Sequence, residues 1–507
     1  MSPREEQASP LRARLEQFFA IDLRSLALFR IALALVLFYD LIDRARNLRA
    51  HYTDAGTLPA EVLEQISGAG IRFSLHYHLS SSEWAVMGVF GLAWLAATAL
   101  LFGHRTRVAT FISWFLLSSL QVRNPYLASM GGDQLLRILL FWSLLLPIGA
   151  RFSLDASREP SSRVGANRLL SVAGFGLLMQ ICLMYWVTGL KKDGVTWVDG
   201  SALYYALHLD FWATPLASTL RDQAWILPLL TYATRWFELL GPFLAFSPVW
   251  TAQLRLFAFA AFAFFHLSLG VFLDIGMFPL VSMIGWFAFI PSWFWDELLP
   301  RMRGEAVEDF SDAELGEYDD EEELPPRSLT PLFGQVGAAL LLAYVVFSLA
   351  IQVGWLRGPV PSLITDVAHV LRVQQSWSMF SPNPPAMDFW PVVSGTTAAG
   401  ESVDLFRDAP TTFAKPRDIV GTLPSFRWRL YFSYLLTIPP EDPRQAPTYA
   451  GLVQYMCREW NATHEGQTQI HKVTVSIGVE FTRETYEDEP AVATLHEAAC
   501  ELRVPSQ

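Results

Sequence analysis

The sequence predicts an all-α polytopic membrane bundle of about nine transmembrane helices, followed by a small C-terminal α+β, strand-rich domain. Three observations lead there. Of the 507 residues, 52% are hydrophobic and only 17% are charged, with a mean hydropathy of +0.28; a soluble chain is typically about 25% charged. The apolar residues fall in runs near the ~20 residues that cross a hydrocarbon core as a helix. After Trp355 those runs stop and ordinary polarity returns.

Taken in order, residues 1–17 are polar and mixed in charge, without the basic, apolar and cleavage regions of a signal peptide. The first apolar run is therefore read as a retained helix. The spans are expected at 24–44, 84–103, 107–123, 132–150, 168–190, 224–246, 250–273, 276–295 and 329–354. Lysine and arginine in short loops set orientation. Arg105 and Arg107 in one loop, and Arg151, Arg158, Arg163 and Arg168 in another, fall on the same side as Arg4, Arg12 and Arg14. That side is predicted to be cytoplasmic. The units are then a cytoplasmic segment 1–23, a transmembrane core 24–295, an acidic cytoplasmic linker 296–328, a last span 329–354 and an extracytoplasmic domain 355–507. The net charge of −12 is mostly local: residues 296–327 hold thirteen acids against three arginines. That linker is too charged to bury a core and is expected to be disordered. The charge pattern gives no reason to expect a nucleic-acid partner.

In the tail, 471–482 alternates Val473, Val475, Ile477, Val479 and Phe481 with polar residues, the pattern of a half-buried strand. Segments 389–395, 401–406 and 426–437 read as further strands; 448–460 and, more weakly, 491–502 read as helices. Cys182, Cys457 and Cys500 form no C-x-x-C pair, so no zinc or redox motif is visible. Cys457 and Cys500 share the tail, where a disulfide is open to them. Asn461-Ala462-Thr463 is a glycosylation sequon read as chance.

Ionisable residues at membrane depth are costly and usually face a partner or a wet cavity. This chain has Arg30, Asp40 and Asp43 in the first span, Asp133 and Arg137 in the fourth, Arg235 and Glu238 in the sixth, and Arg255, His266 and Asp274 in or beside the seventh. Spacing predicts self-neutralising pairs Asp133/Arg137 and Arg235/Glu238. Arg255 and His266, eleven residues apart, share a helix face three turns apart.

The segment from Tyr185 to Gly200 closes an apolar run with Lys191 and Lys192 and continues to Trp197, with Tyr204, Tyr205 and Trp212 beyond. Two readings stay open. Lysines snorkel at helix ends and aromatics gather at the interface. Alternatively, a lysine drawn into an apolar pocket loses its proton more readily and becomes a base. The segment 375–385 is read either as a cap over this site or as a proline-rich turn that stacks Trp377 on the tail's own core.

These residues carry a resemblance. Gly189-Leu190-Lys191-Lys192-Asp193 followed by Trp197-Val198-Asp199-Gly200 resembles the lysine segment of vitamin K-dependent γ-glutamyl carboxylases. Phe265-His266 followed by Ile275-Gly276-Met277-Phe278, Leu28-Phe29-Arg30, and Trp236-Phe237-Glu238-Leu239 fit as well. The likeness covers roughly residues 20–300 and is greatest to the bacterial HTTM (horizontally transferred transmembrane) proteins, whose tails resemble 375–384 here. It implies a reduced isoprenoid naphthoquinone of the vitamin K or menaquinol type as cofactor, no metal, the lipid bilayer as surroundings, and a peptide or protein glutamate as substrate. In the carboxylases a lysine deprotonates the quinol, oxygen adds to it, and the resulting base takes a proton from glutamate so that carbon dioxide is captured. By position Lys192 matches that lysine and His266 the family's later histidine. Lys191, Trp197, Arg235 and Glu238 would line the cofactor site. One departure stands: the family's functional histidine before a Tyr-Trp-Ser-Val-Asp-like segment has no counterpart before Arg151-Phe152-Ser153-Leu154-Asp155. The alternative to an enzyme is a non-catalytic scaffold, or a lipid- or quinone-binding protein, that keeps the fold.

Overall fold

The computed structural model describes residues 10–67, 74–75, 81–128, 130–158, 167–305, 331–358, 360–439, 441–483 and 490–501. A short helix, Pro10–Phe19, precedes α1 (Leu23–Ala45), α2 (Glu83–Phe102), α3 (Thr106–Arg123), α4 (Gly131–Leu144), α5 (Val172–Lys191), α6 (Leu227–Leu240), α7 (Thr251–Phe272), α8 (Phe278–Gly285) and α9 (Leu332–Gln352). Local chemistry fixes several ends. Asp22 caps α1 by accepting from the Arg24 amide at 2.8 Å, and Ser171 caps α5 by accepting from the Gly174 amide at 3.0 Å. Gly103 ends α2 in the left-handed region, φ 63°, pressed against the Arg30 guanidinium where a side chain would collide.

A helix occupies each of the nine predicted stretches, but the count of nine spans is not met by length and composition. Among the described residues α1, α2, α5, α7 and α9 are long and apolar enough to cross a membrane; a sixth arises if Phe278–Phe289 and Phe294–Met302, bent by 84°, count as one. The shortfall is physical. α4 and α6 have 14 residues each, about 21 Å of helix against a ~30 Å core. α3 carries Arg107, Gln121 and Arg123. The linker predicted at 296–328 falls largely outside the described residues.

Contacts sort the helix ends into two groups. At one end lie the starts of α1, α5, α7 and α9: Ser25 Oγ donates to the Ile290 carbonyl at 2.7 Å, and the Val172 amide to Gln335 Oε1 at 2.8 Å. Arg24, Arg105, Arg151 and Arg168 belong to this basic end. Arg30 Nη2 donates to the Phe152 carbonyl there at 2.5 Å, and Asp155 caps α3 from the Thr106 amide at 2.7 Å. At the other end lie the last turns of α1, α5, α7 and α9, and there the tail docks. Arg427 donates to Asp40, Arg429 pairs with Asp274, Lys191 Nζ donates to Ser378 Oγ, and Gln352 Nε2 to the Gln375 carbonyl.

The tail forms a five-stranded antiparallel sheet. Its strands are β1 (Met387–Thr397), β2 (Ser402–Asp404), β3 (Ala409–Pro410), β4 (Ile470–Phe481) and β5 (Ala491–Ala499), in spatial order β3-β2-β1-β4-β5. Helices α10 (Phe426–Leu435) and α11 (Gln445–Thr463) pack on it. The strands expected at 389–395, 401–406 and 471–482 and the helix at 448–460 are present. Two expectations are corrected. Residues 426–437, expected as a strand, are helical over 426–435, with Arg427 and Arg429 both buried on acids of the bundle. Residues 491–499 are an edge strand, because pairing with β4 overrides the alanine- and glutamate-rich propensity. Cys457 and Cys500 form a disulfide between α11 and the residue after β5. The sequon Asn461 is bound on both sides of its amide by Ile470, at 2.9 and 2.8 Å, which makes it a structural bracket.

The docking surface is a buried charge network. Arg427 Nη2 reaches Asp40 at 2.6 Å, its Nε reaches Asp43 at 2.8 Å, and its Nη1 reaches Asp133 at 3.0 Å. Arg44 meets Asp40 at 2.8 Å and also holds Asp133. The expected Asp133/Arg137 pair does not form. Arg137 instead donates to the Arg372 and Gln374 carbonyls at 2.6 and 2.9 Å. Farther out, Lys415 joins Asp210 at 2.8 Å, Asp388 at 3.3 Å, and Glu480, tying β1 and β4 to the connection between α5 and α6. Burial pushes the Asp388 carboxyl up to about 6, although Lys415 and the Phe211 amide oppose it.

Candidate functional site

The site begins with where α5 stops. Its last helical residue is Lys191, and Lys192 is the cap, with φ −81° and ψ 55°. That break separates two adjacent lysines into different surroundings. Lys191 stays partly exposed and donates to Ser378 Oγ at 2.9 Å, consistent with an interface lysine. Lys192 turns inward, is 2% exposed, and pairs with Glu238 of α6, itself 5% exposed. The snorkelling reading therefore holds for Lys191 alone. Trp197 lies over the Lys192 ammonium, 4.9 Å from nitrogen to ring centroid.

Glu238 is thus taken by Lys192 from another helix, and the expected Arg235/Glu238 pair does not form. Residues three apart on one helix can meet, but a buried carboxylate takes the cation that is also cut off from water. Arg235 is half-buried, and its Nε makes no hydrogen bond among the described residues.

The segment 375–385 closes the site from above. Trp197 Nε1 donates to the Phe380 carbonyl at 2.8 Å, and Asn383 Oδ1 accepts from the Thr196 amide at 3.0 Å and hydroxyl at 2.9 Å. Trp377 is buried in the bundle's core, and its Nε1 donates to Gln375 Oε1 at 2.8 Å. Of the two readings of this segment, the cap is the one seen; Trp377 does not pack on the tail's own core.

Two turns down α5, on the face that Lys192 continues, Tyr185 meets His266 of α7. The hydroxyl and His266 Nε2 are 2.5 Å apart, and Trp286 Nε1 donates to the same hydroxyl at 3.1 Å. An indole only donates, so the tyrosine oxygen accepts from Trp286, while the direction of its bond to His266 Nε2 follows the imidazole tautomer. His266 is 1% exposed and its Nδ1 has no partner among the described residues, so a buried ring nitrogen is left unused. Phe262 stacks on Trp286, centroids 4.1 Å apart, and Phe265 and Phe278 flank the imidazole.

The geometry brings together Lys192, Glu238 and Trp197, with Lys191 at the rim. Tyr185, which holds His266, stands two helical turns, about 10 Å, along α5 from Lys192. Arg255 does not join them: it lies at the basic end, where its Nη1 donates to the Ala20 carbonyl at 3.2 Å. Sequence reasoning missed Tyr185 as the orienting partner of His266. The available signal was spacing, since 185, 188 and 192 fall on one face of a helix that also presents the lysine.

A family model described as the HTTM domain matches residues 18–293, more than half of the chain. No curated protein and no solved structure matches.

Proposed function

The chain belongs to the HTTM-domain family, and from that premise we propose that this multi-pass membrane protein holds an acid–base site for a reduced isoprenoid naphthoquinone where α5, α6 and α7 meet beneath the tail. The observation that carries the reading is Lys192, buried against Glu238 under Trp197 and closed over by 375–385. Lys192 and Glu238 form a buried ion pair through the Nζ···Oε2 contact. When a ligand hydroxyl approaches, the pair can accept its proton, and the positive charge the pair then carries holds the anion left on the ligand. His266, oriented by Tyr185, has Nδ1 free, to donate to a ligand oxygen as N–H or to accept from a ligand hydroxyl as a lone pair, and this unused nitrogen is the feature that fits a quinol. Trp197 and the cap exclude water. The quinol, when bound, supplies an acidic phenolic proton and an oxidisable ring.

On this reading the activity is a quinol-dependent oxygenation or carboxylation acting on a peptide or protein glutamate. The site faces away from the cytoplasm, the basic end faces it, and the membrane is a bacterial inner membrane. Nine crossings fit the alternating direction of α1 to α9, with α4 and α6 as short crossings.

A second reading is a non-catalytic quinone- or lipid-binding scaffold. It is favoured by the neutralisation of Lys192 by Glu238 in the resting fold and by the absence of a histidine before the 151–155 segment. Purified protein in detergent, given reduced menaquinone and oxygen, separates the two. Oxidation products seen by mass spectrometry with wild type and lost in Lys192→Ala support the enzyme. Saturable quinone binding without turnover supports the scaffold. Neither binding nor turnover removes the quinone from both.

A further inference from the structure

A second site stands at the opposite end of the bundle. Asp22, the cap of α1, and Thr251 and Ala252, which begin α7, line one cavity, so two helix N-termini border it. The cavity is about 230 Å³ and is lined by Glu16, Asp22, Arg168, Thr251, Ala252 and Arg255, among others. Arg255 is 4% exposed and makes one hydrogen bond, to the Ala20 carbonyl. Its Nε and Nη2 are buried and without partners among the described residues, and no carboxylate there lies within ion-pair distance of it.

Acids are nearby, but both are already engaged. Asp22 is held by Arg24 through both oxygens, at 3.0 and 2.8 Å, and Glu16 by Arg12 at 3.0 Å. Arg168, exposed, stands at the mouth. A buried guanidinium with unused donors is costly unless an anion completes it. The planar fork of arginine suits a phosphate, and helix N-termini add amide dipoles of the same sense. A cavity of this size is smaller than the roughly 300–1,000 Å³ of sites that enclose a whole organic ligand, so it accommodates a headgroup and not a lipid tail. The starts of the spans put it at headgroup depth.

We propose that this cavity binds a phosphate group, as a monoester or diester, through the free edge of Arg255, with Arg168 at its entrance. The site is independent of Lys192 and of any quinol.

The test uses the full chain in mild detergent, titrated with dioleoyl phosphatidylglycerol, with dioleoylglycerol as the phosphate-free counterpart, and with inorganic phosphate. Binding is read by native mass spectrometry and by the unfolding midpoint. The expected result is saturable binding of a phosphate-bearing probe and none of dioleoylglycerol. Affinity should fall about tenfold or more in Arg255→Gln, since a charge-assisted hydrogen-bond pair is lost. Saturation by phosphatidylglycerol alone assigns a lipid headgroup; saturation by inorganic phosphate assigns a soluble phosphate. Should Arg255→Gln fail to fold, Ala252→Phe fills the cavity and keeps both arginines, and is expected to abolish binding likewise. Unchanged binding in the folded variants, equal retention of dioleoylglycerol, or no saturable phosphate binding overturns the proposal.

Discussion

Arg427 of the tail donates its Nη2 to Asp40 of the first helix at 2.6 Å, across 387 residues of sequence and with both side chains fully buried. Asp43, Asp133 and the Leu127 carbonyl complete its shell, and Arg44 is the only other cation in the network among the described residues. The tail is therefore a structural part of the bundle's charge balance.

Removing that cation should be among the most damaging single changes. Arg427→Met leaves three buried carboxylates facing one arginine and is expected to cost about 3–5 kcal/mol. Denaturant unfolding of the purified protein checks this. Adding Asp43→Asn, which deletes one of the stranded charges, should recover part of the loss; no recovery would mean that Arg427 acts through packing alone.

Lys192 and Glu238 should behave as a unit. Lys192→Met and Glu238→Leu each strand a buried charge and should each destabilise by about 3–5 kcal/mol, whereas the double variant should lie within about 1 kcal/mol of wild type. The same double variant should show no quinol turnover. Stability restored without activity separates the pair's structural role from its chemical one.

Asp388 gives a pH signature. It binds its proton near pH 6 in the fold and near 3.8 when unfolded, so the folded state holds more protons between those values. Its contribution is therefore full below about pH 3.8 and lost as pH rises through about 6, an effect of up to about 3 kcal/mol. Asp388→Asn should flatten the stability profile between pH 4 and 6. An unchanged slope in the variant would assign that slope to other groups.

The Cys457–Cys500 disulfide closes a loop with a sequence separation of 43 residues. Loop-closure entropy puts its worth at about 4 kcal/mol. Cys457→Ala/Cys500→Ala should lower the unfolding free energy of the tail, read from a urea titration, by that much, and dithiothreitol should do the same to wild type and nothing to the double variant.

Much of the bundle was legible because burial in lipid leaves long apolar runs, and the ends of α1, α2, α5 and α7 fall within a few residues of the predicted bounds. The lysine segment was legible as chemistry, since Lys191 and Lys192 close an apolar run. Which lysine turns inward was not, because it depends on the backbone leaving the helix at residue 192. Partners were read least well. Spacing along one helix offered Arg137 to Asp133 and Arg235 to Glu238, while the fold supplied Arg44, Arg427 and Lys192 from elsewhere. Long-range ion pairs leave no periodic trace. Arg427 was hidden further by an alternation, Phe426, Trp428, Leu430 and Phe432, that serves a helix as well as a strand when the residues between are also buried. Asp22 and Arg24 were likewise silent, since a cap two residues from its partner looks like an ordinary loop.

The dependence of Asp40, Asp43 and Asp133 on Arg427 also sets a clock on biosynthesis. Ribosomes add roughly 5–20 residues per second. The first helix therefore reaches the bilayer roughly 20 to 80 seconds before its counter-charge is made. For that interval it carries more acid than Arg44 can balance. A newborn chain must keep that end of the helix in water, or in the care of the insertion machinery, until the tail is made and seals it.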